Sequence, residues 1–135
     1  MDHLSPHQRS ANMRAVKRSD TAPEMAVRRL LFRAGYRYRL HDGRLPGRPD
    51  IVFKGRRKVI FVHGCFWHGH HCSRGRLPKS RVEYWRDRVD RNRSRDGRVL
   101  VELQATGWKP FVVWQCETRD EEPLLRRLVE FLRSE

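Results

Sequence analysis

The chain has 135 residues, enough for one domain with one core and too few for two ordinary domains. Its 30 Lys and Arg outnumber 16 Asp and Glu, which gives a formal net charge of +14 and a pI of about 11.1. Hydrophobic residues make up 38%, and no stretch approaches the roughly 18 consecutive apolar residues of a membrane span. Composition therefore excludes a membrane-spanning helix and favours a protein that binds the phosphate backbone of nucleic acid.

The N-terminal segment is polar and basic, and we expect residues 1–18 to form an arm ahead of a single domain over residues 19–135. Residues 1–10 lack the apolar core of a secretory signal. We therefore expect a cytoplasmic protein that associates with the nucleoid and has no contact with a membrane.

The first predicted element is a helix. Residues 21–24 have the spacing of a capping box with Pro in the first turn, an apolar stripe at helical spacing follows, and Gly35 ends the pattern. Alternating aromatic and basic residues then predict a half-buried strand over residues 36–40. The Gly- and Pro-rich residues 41–49 are predicted to form a loop.

Five more elements follow. Residues 50–53 and 58–62 are predicted to form two strands, residues 81–105 a long helix, residues 111–114 a buried strand, and residues 124–132 part of an amphipathic helix. The order helix, three strands, helix, strand, helix suggests hairpins first and a crossover later. We therefore predict an α/β fold with a mixed sheet flanked by helices.

A His- and Cys-rich segment carries the densest chemical pattern. Residues 62–72 contain four His, two Cys and two adjacent aromatics, which is improbable in an ordinary loop. Tetrahedral zinc needs Cys and His ligands drawn to one point. Reduced core cysteines are the alternative, and His68 and His71 compete for the histidine position. The proposed ligands of this structural site are Cys65, His70, Cys72 and Cys116.

Two carboxylates are candidates for hydrolytic chemistry. Asp50 begins a predicted strand after a Pro-rich turn, and Mg²⁺-dependent phosphodiester hydrolysis needs a carboxylate at such a strand edge. The alternative is an Asp that only terminates the turn. Glu24 is the weaker candidate, because its place in the capping box already gives it a structural role.

Several aromatic residues lie beside basic ones. Phe66 and Trp67 are in the His-rich loop, while Tyr84 and Trp85 lie within residues 74–98, where ten Lys or Arg face four Asp or Glu. Such aromatics can stack on bases or wedge between base pairs. For Trp85, inward packing on its own helix face is an equal alternative.

Five motifs together resemble those of the very short patch repair (Vsr) endonucleases, over about residues 9–133. The resemblance implies a restriction-endonuclease-like fold and a nick 5′ of the thymine in T:G mismatches that arise when 5-methylcytosine deaminates. The motifs are Asn12-Met13-Arg14, residues 45–50 (LPGRPD), residues 63–68 (HGCFWH), His70 with Cys72, and Gly107-Trp108 with residues 113–116 (VWQC).

This resemblance also implies catalytic roles. Asp50 would be a Mg²⁺ ligand together with position 62, and His68 would be the general base, assisted by His63 and Glu24. Val62 departs from the Thr of the family pattern: a backbone carbonyl ligand would tolerate Val, whereas a hydroxyl ligand would be lost. Gly69 is a second departure, which predicts a more flexible loop than a continuous His run.

The implied substrate is double-stranded DNA with a T:G mismatch, bound by a monomer, and a mismatch-repair protein is a further candidate partner. The alternatives are a zinc-stapled DNA-binding protein without cleavage and a related nuclease with a different DNA target. The resemblance further implies zinc binding by the four residues above. The residues implied to intercalate are Met13, Phe66, Trp67 and Trp85.

Overall fold

The computed structural model describes residues 20–135, so the predicted arm and Met13 lie outside the described residues. Within this range the predicted order of helices and strands is confirmed. The helices are α1 (Ala22–Arg33), α2 (Val82–Ala105) and α3 (Glu121–Arg133), and the strands are β1 (Arg39–Leu40), β2 (Ile51–Phe53), β3 (Lys58–His63) and β4 (Lys109–Trp114). Short 3₁₀ turns occupy Ser73–Gly75 and Gln115–Arg119.

The first helix begins and ends as its sequence predicts. The Thr21 hydroxyl accepts a hydrogen bond from the Glu24 amide at 3.3 Å, and Gly35 leaves the helix with φ +94°. The return bond of a capping box differs, because the Glu24 carboxylate accepts from the Asp20 amide at 3.1 Å instead of the amide of the capping residue.

The four strands form one mixed sheet in the order β1-β2-β3-β4. Antiparallel pairing joins the first three strands, and β4 lies parallel to β3 after the crossover through α2. The hairpins and the crossover were both predicted. In the parallel pair, His63 is in register with Trp114, so the last residues of both strands meet at one edge of the sheet.

The predicted strand over residues 36–40 is wrong for its first three residues, since only Arg39–Leu40 pairs with β2. The rings of Tyr36 and Tyr38 instead meet the ring of Phe53 edge-on, at 6.4 and 6.1 Å between centroids. This segment is therefore anchored by its side chains. The alternation of aromatic and basic residues reflects that anchoring and not a strand ladder.

Both faces of the sheet are covered. Alternate residues of β2 and β3 point to opposite faces, as the period of a strand requires. Ile51, Phe53 and Ile60 pack with α1 and α3, whose inward side chains include Leu30, Leu31, Leu124 and Leu128. Val52, Val59 and Phe61 pack with the C-terminal part of α2 around Leu103. No helix in residues 20–135 is long and apolar enough to cross a membrane.

Several predicted boundaries shift by one or two residues: β3 ends at His63 instead of residue 62, and β4 begins at Lys109 instead of residue 111. Asp50 lies just before β2 instead of within it, and Arg81 is the N-cap of α2, in the left-handed region with φ +56°. The long helix is continuous through Gly97, so the glycine does not interrupt it.

Candidate active site and metal cluster

The Asp50 carboxylate is held at the edge where β2 begins and β3 ends. Its Oδ2 accepts a hydrogen bond from the Val62 amide at 2.7 Å. Burial raises the pKa of Asp50 to about 6; the Val62 hydrogen bond opposes this rise, and the nearby Glu24 carboxylate adds to it. The side chain is thus a partly buried carboxylate near a second one.

Glu24 is 1% exposed, and its carboxylate accepts hydrogen bonds on both oxygens. Oε2 accepts from Arg28 Nη1 at 3.2 Å and lies 2.8 Å from His41 Nε2. His41 also donates its backbone N–H to the Asp50 carbonyl at 3.2 Å, so it links the two acidic residues. The sequence analysis did not single out His41, which lies in a loop of turn residues and carries no periodic signal.

His63 and His68 form a stacked pair, with ring centroids 3.8 Å apart and planes within 4° of parallel. His63 ends β3 on the face covered by α2, where it is 8% exposed, and its Nδ1 has no hydrogen-bond partner among residues 20–135. Burial lowers the pKa of His63 to about 4, so its ring is neutral at neutral pH.

Asp96 of α2 anchors His68. Its Oδ2 lies 2.6 Å from Nδ1 of His68, which leaves Nε2 as the ring nitrogen that can act on a water molecule. Burial is the largest single effect and raises the pKa of Asp96, but the hydrogen bond from His68 and the charge interactions with His68, His63 and Arg95 together outweigh it, so the pKa is lowered. Donor atoms of His63, His68 and Asp96 lie within 4.8 Å of one another, close enough to share a water or a cation.

Asp96 was not among the predicted site residues, although the spacing of the buried residues in α2 indicates that its side chain faces inward. Trp85, Val89 and Leu103 are the buried residues of this helix, and positions 92 and 96 continue the same stripe at helical spacing. Asn92 there donates to the Trp67 carbonyl at 2.9 Å, while Asp96 binds His68. Polar residues that interrupt the apolar stripe therefore mark where α2 contacts the loop of Trp67 and His68.

The four predicted zinc ligands come together. Their donor atoms lie within 4.8 Å of one another, and His70 Nδ1 is 3.6 Å from Cys116 Sγ. Ligands on a tetrahedron about 2.0–2.3 Å from its centre lie roughly 3.3–3.8 Å apart, so the set fits zinc. His68 is held by Asp96 and His71 is exposed, which leaves His70 as the histidine of the cluster. The remaining members are Cys65 and Cys72.

The thiols of this cluster differ in acidity. Burial raises the pKa of Cys65 to about 12, whereas a hydrogen bond with His70 lowers the pKa of Cys72 to about 6. Zinc binds thiolates, so its binding would release protons from this set. The donors present and their spacing suit a closed, four-coordinate site.

Two glycines let the loop between His68 and Arg76 fold tightly. A Cβ on Gly69, where φ is +64°, would lie 2.6 Å from Arg93 Cδ, and a Cβ on Gly75 would lie 1.8 Å from the His70 carbonyl oxygen. Gly69 thus permits a close approach of this loop to α2. The greater flexibility expected from this glycine remains a prediction.

The three described aromatics predicted to intercalate form one cluster. Phe66, Trp67 and Trp85 meet edge-on, with centroid distances of 5.2 to 6.1 Å. Trp85 is 3% exposed, as expected for inward packing, so it presents no surface to DNA in this conformation. Phe66 and Trp67 are half-buried and lie nearer the surface.

Exposed arginines surround this site. They continue along α2, which carries six of them. A phosphate backbone that lay along α2 would pass beside the His68 ring. The exposed arginines of α2 are Arg86, Arg88, Arg91, Arg93, Arg95 and Arg98.

The chain is similar to proteins of one known family. Residues 1–74 match the sequence model of the family described as DNA mismatch endonuclease Vsr. The type II nicking enzyme V.XorIIP of Xanthomonas oryzae pv. oryzae is 54% identical over 131 residues, which cover 97% of this chain and 96% of that protein. The DNA mismatch endonuclease Vsr of Escherichia coli K12 is 43% identical over 132 residues, which cover 94% and 85%. The type II nicking enzyme V.NmeAIP of Neisseria meningitidis is 39% identical over 133 residues, which cover 98% and 95%.

Proposed function

Because the chain belongs to the DNA mismatch endonuclease Vsr family, we propose that it is a DNA endonuclease that nicks one strand 5′ of the thymine in a T:G mismatch. Its relatives include a mismatch endonuclease and two nicking enzymes, which supports single-strand cleavage. The mixed sheet with a carboxylate at its edge supports a restriction-endonuclease-like fold.

The observation that carries the proposal is the His68–Asp96 pair. A general base must be oriented and must present one nitrogen to the attacking water. The 2.6 Å contact from Nδ1 to the Asp96 carboxylate fixes the orientation of the ring, so Nε2 is the nitrogen left to take a proton from the water. The neutral His63 ring stacked on His68 supports it from the other side without adding charge.

Asp50 and the backbone carbonyl of Val62 are proposed to hold Mg²⁺. The Val62 side chain packs against the hydrophobic core beside α1, so a hydroxyl at this position would point away from solvent and only the backbone remains as a donor. Replacement of Thr by Val is therefore compatible with the site. When bound, the metal would neutralise charge that develops on the phosphate during hydrolysis. Glu24 and His41 then fix the acidic surroundings of Asp50.

Zinc is proposed as a structural cofactor held by Cys65, His70, Cys72 and Cys116. Cys116 follows β4, while the other three donors lie in the loop after β3, so the metal would staple this loop to the sheet. The same loop carries Phe66 and Trp67, which are proposed to wedge beside the mismatch because a mismatched step is cheaper to open than a paired one. Trp85 supports them by packing and would intercalate only if the cluster opened.

Nicking of end-labelled duplexes tests the proposal. With Mg²⁺ we expect one cut 5′ of the thymine in a T:G duplex and none in the matching T:A and C:G duplexes. Asp50→Ala should abolish the cut while DNA binding and bound zinc persist, because nearby acids cannot replace a carboxylate fixed at the sheet edge. Asp42→Ala is the matched control, since that carboxylate binds Arg44 in the loop before β2.

Two results would contradict the proposal. Equal cutting of paired and mismatched duplexes would mean a nuclease with a different target. Tight DNA binding without any cut by the wild-type protein would leave the non-catalytic alternative.

A further inference from the structure

Trp114, the last residue of β4, lies between the metal cluster and the stacked histidine pair. We propose that Trp114 is a positioning residue that orients His70 within the metal cluster and supports His63 and His68 at the same time. One side chain would thereby couple zinc binding to the rate of nicking. This inference rests on the zinc site and the nicking activity proposed above.

The first contact fixes His70. The indole and imidazole are stacked, with centroids 4.2 Å apart and planes 19° from parallel. His70 belongs to a loop segment without regular structure, so its backbone alone does not restrict the rotation of its ring. A flat aromatic surface does restrict it. The ring is held with Nδ1 at 3.6 Å from Cys116 Sγ, the direction that a shared metal requires.

The second contact involves the histidine pair. His63 and Trp114 are in register in the parallel β3–β4 pair, which places their side chains side by side on one face. The indole meets His63 at 5.3 Å and 75°, and His68 at 6.4 Å and 71°. Near-perpendicular arrangements of this kind are favourable for aromatic rings. Displacement of the indole would therefore disturb the ring that Asp96 holds from the other side.

A role in core packing alone does not explain these contacts. Trp114 belongs to neither of the two hydrophobic clusters of the described chain, and its side chain is half-buried. The rings around it are three imidazoles from two different sites. Trp108, at the other end of β4, packs against the aliphatic cluster beside α2 and offers a matched control.

Metal release and metal spectroscopy test the proposed effect of Trp114 on His70 without reference to nicking activity. In Trp114→Leu we expect zinc to pass to a chelating dye about three- to tenfold faster, the range of one lost aromatic pair. With Co²⁺ in place of zinc, the visible bands of the same variant should change in position or intensity, because His70 binds at an altered angle. Trp108→Leu should lower the melting temperature yet keep the wild-type spectrum and release rate.

Single-turnover nicking tests the other half. In Trp114→Leu the rate constant for cleavage should fall about three- to tenfold while the affinity for the T:G duplex stays within twofold. Trp114→Phe, which retains an aromatic face, should restore most of the wild-type zinc retention and most of the wild-type rate of cleavage. Trp114→Met, an unbranched side chain that fills irregular space, gives a second non-aromatic variant if Trp114→Leu does not fold.

The outcomes separate cleanly. A changed cobalt spectrum with wild-type nicking, or slower nicking with unchanged metal properties, would overturn the coupling. Losses in Trp114→Leu that Trp108→Leu reproduces would reduce Trp114 to a packing residue. If the wild-type protein binds zinc but does not nick the T:G duplex, the proposed function fails. The metal measurements then still decide whether Trp114 orients His70.

Discussion

His68 owes its assigned role to its partner, because an imidazole without a fixed orientation makes a poor base. Asp96 supplies that orientation through a 2.6 Å contact to Nδ1, and the buried, neutral His63 stacks on the opposite side. The same ring could not serve the zinc cluster, since Asp96 draws it toward α2. The contact with Asp96 therefore favours the proposed assignment of His68 to catalysis and of His70 to the metal.

The residue-scale prediction concerns this pair. His68→Ala should lower the single-turnover nicking rate by about a hundredfold to ten-thousandfold, the range for loss of an acid–base group. Asp96→Asn should lower the same rate by less, on the order of tenfold to a hundredfold, because the base remains but the charge that orients it is gone. Rapid-quench cleavage assays on a T:G duplex measure both. Asp90→Asn, on the exposed side of α2, serves as control, and an Asp96→Asn enzyme with the control's rate would refute the assignment.

At the scale of elements, the end of α3 is closed by a side chain from β3. Lys58 is 3% exposed, and its ammonium donates to the carbonyls of Phe131 at 2.6 Å, Leu132 at 3.2 Å and Ser134. The last carbonyls of a helix have no partner within the helix and carry its negative pole. Lys58 therefore satisfies several of them with one charge and ties α3 to the sheet.

Removal of this cap should destabilise the protein. Lys58→Met keeps the aliphatic length but leaves the carbonyls without their donor, so we expect the free energy of unfolding to fall by about 2–3 kcal/mol. Urea denaturation followed by circular dichroism measures the change. Lys54→Met, at an exposed turn position, should stay within about 0.5 kcal/mol. Equal free energies of unfolding for the two variants would show that the buried ammonium of Lys58 contributes nothing to stability.

The loop after β3 is the second case at this scale. It has no helix or strand of its own over residues 64–72, and the cysteine–histidine cluster brings it together with Cys116, two residues after the end of β4. A four-ligand metal site contributes directly to the free energy of folding, because the site does not exist in the unfolded chain.

We therefore expect one zinc per chain after dialysis, measured by atomic emission. Cys116→Ser should lose the metal and unfold at a markedly lower temperature, since the staple between loop and sheet is broken. His70→Ala should likewise release zinc, whereas His71→Ala, the exposed neighbour, should retain it. Zinc retained by His70→Ala but released by His68→Ala would reverse the assignment of the two histidines.

For the whole molecule, charge decides how it meets its substrate. A net charge of +14 on 135 residues gives a strong positive field, and the exposed arginines of α2 place part of it beside the His68–Asp96 pair. Each neutralised phosphate releases counterions, so the logarithm of affinity should fall linearly with the logarithm of salt concentration.

The slope of the logarithm of affinity against the logarithm of salt concentration can show which face of the protein binds DNA. Arg95→Gln with Arg98→Gln removes two charges that flank Asp96, and the slope should become less steep by up to about two. Arg126→Gln with Arg133→Gln removes two exposed charges from α3, on the opposite face of the sheet, and should leave the slope unchanged. Fluorescence anisotropy with a labelled duplex over a range of salt concentrations measures it. A larger effect from the α3 pair would place the DNA on the other face.

The order of the elements, the basic character and the Cys- and His-rich segment of the candidate zinc site could be predicted from the amino-acid sequence. These follow from local rules: periodicity indicates helices and strands, composition gives the charge, and Cys and His are the usual ligands of structural zinc. The one misjudged strand, over residues 36–40, shows the limit of such rules. Its alternating pattern was real, but side-chain anchoring on Phe53 replaced the pairing that the pattern predicted.

The contacts of each candidate site residue, in contrast, could be read only from the tertiary structure. Each of these findings depends on contacts between residues at least seventeen positions apart in the chain. They are the choice of His70 over His68, the pairing of His68 with Asp96, the link of His41 to Glu24 and the burial of Trp85. The physical reason is that orientation, burial and pKa depend on what packs against a side chain. That information arises when the β3–α2–β4 crossover brings distant segments to one edge of the sheet.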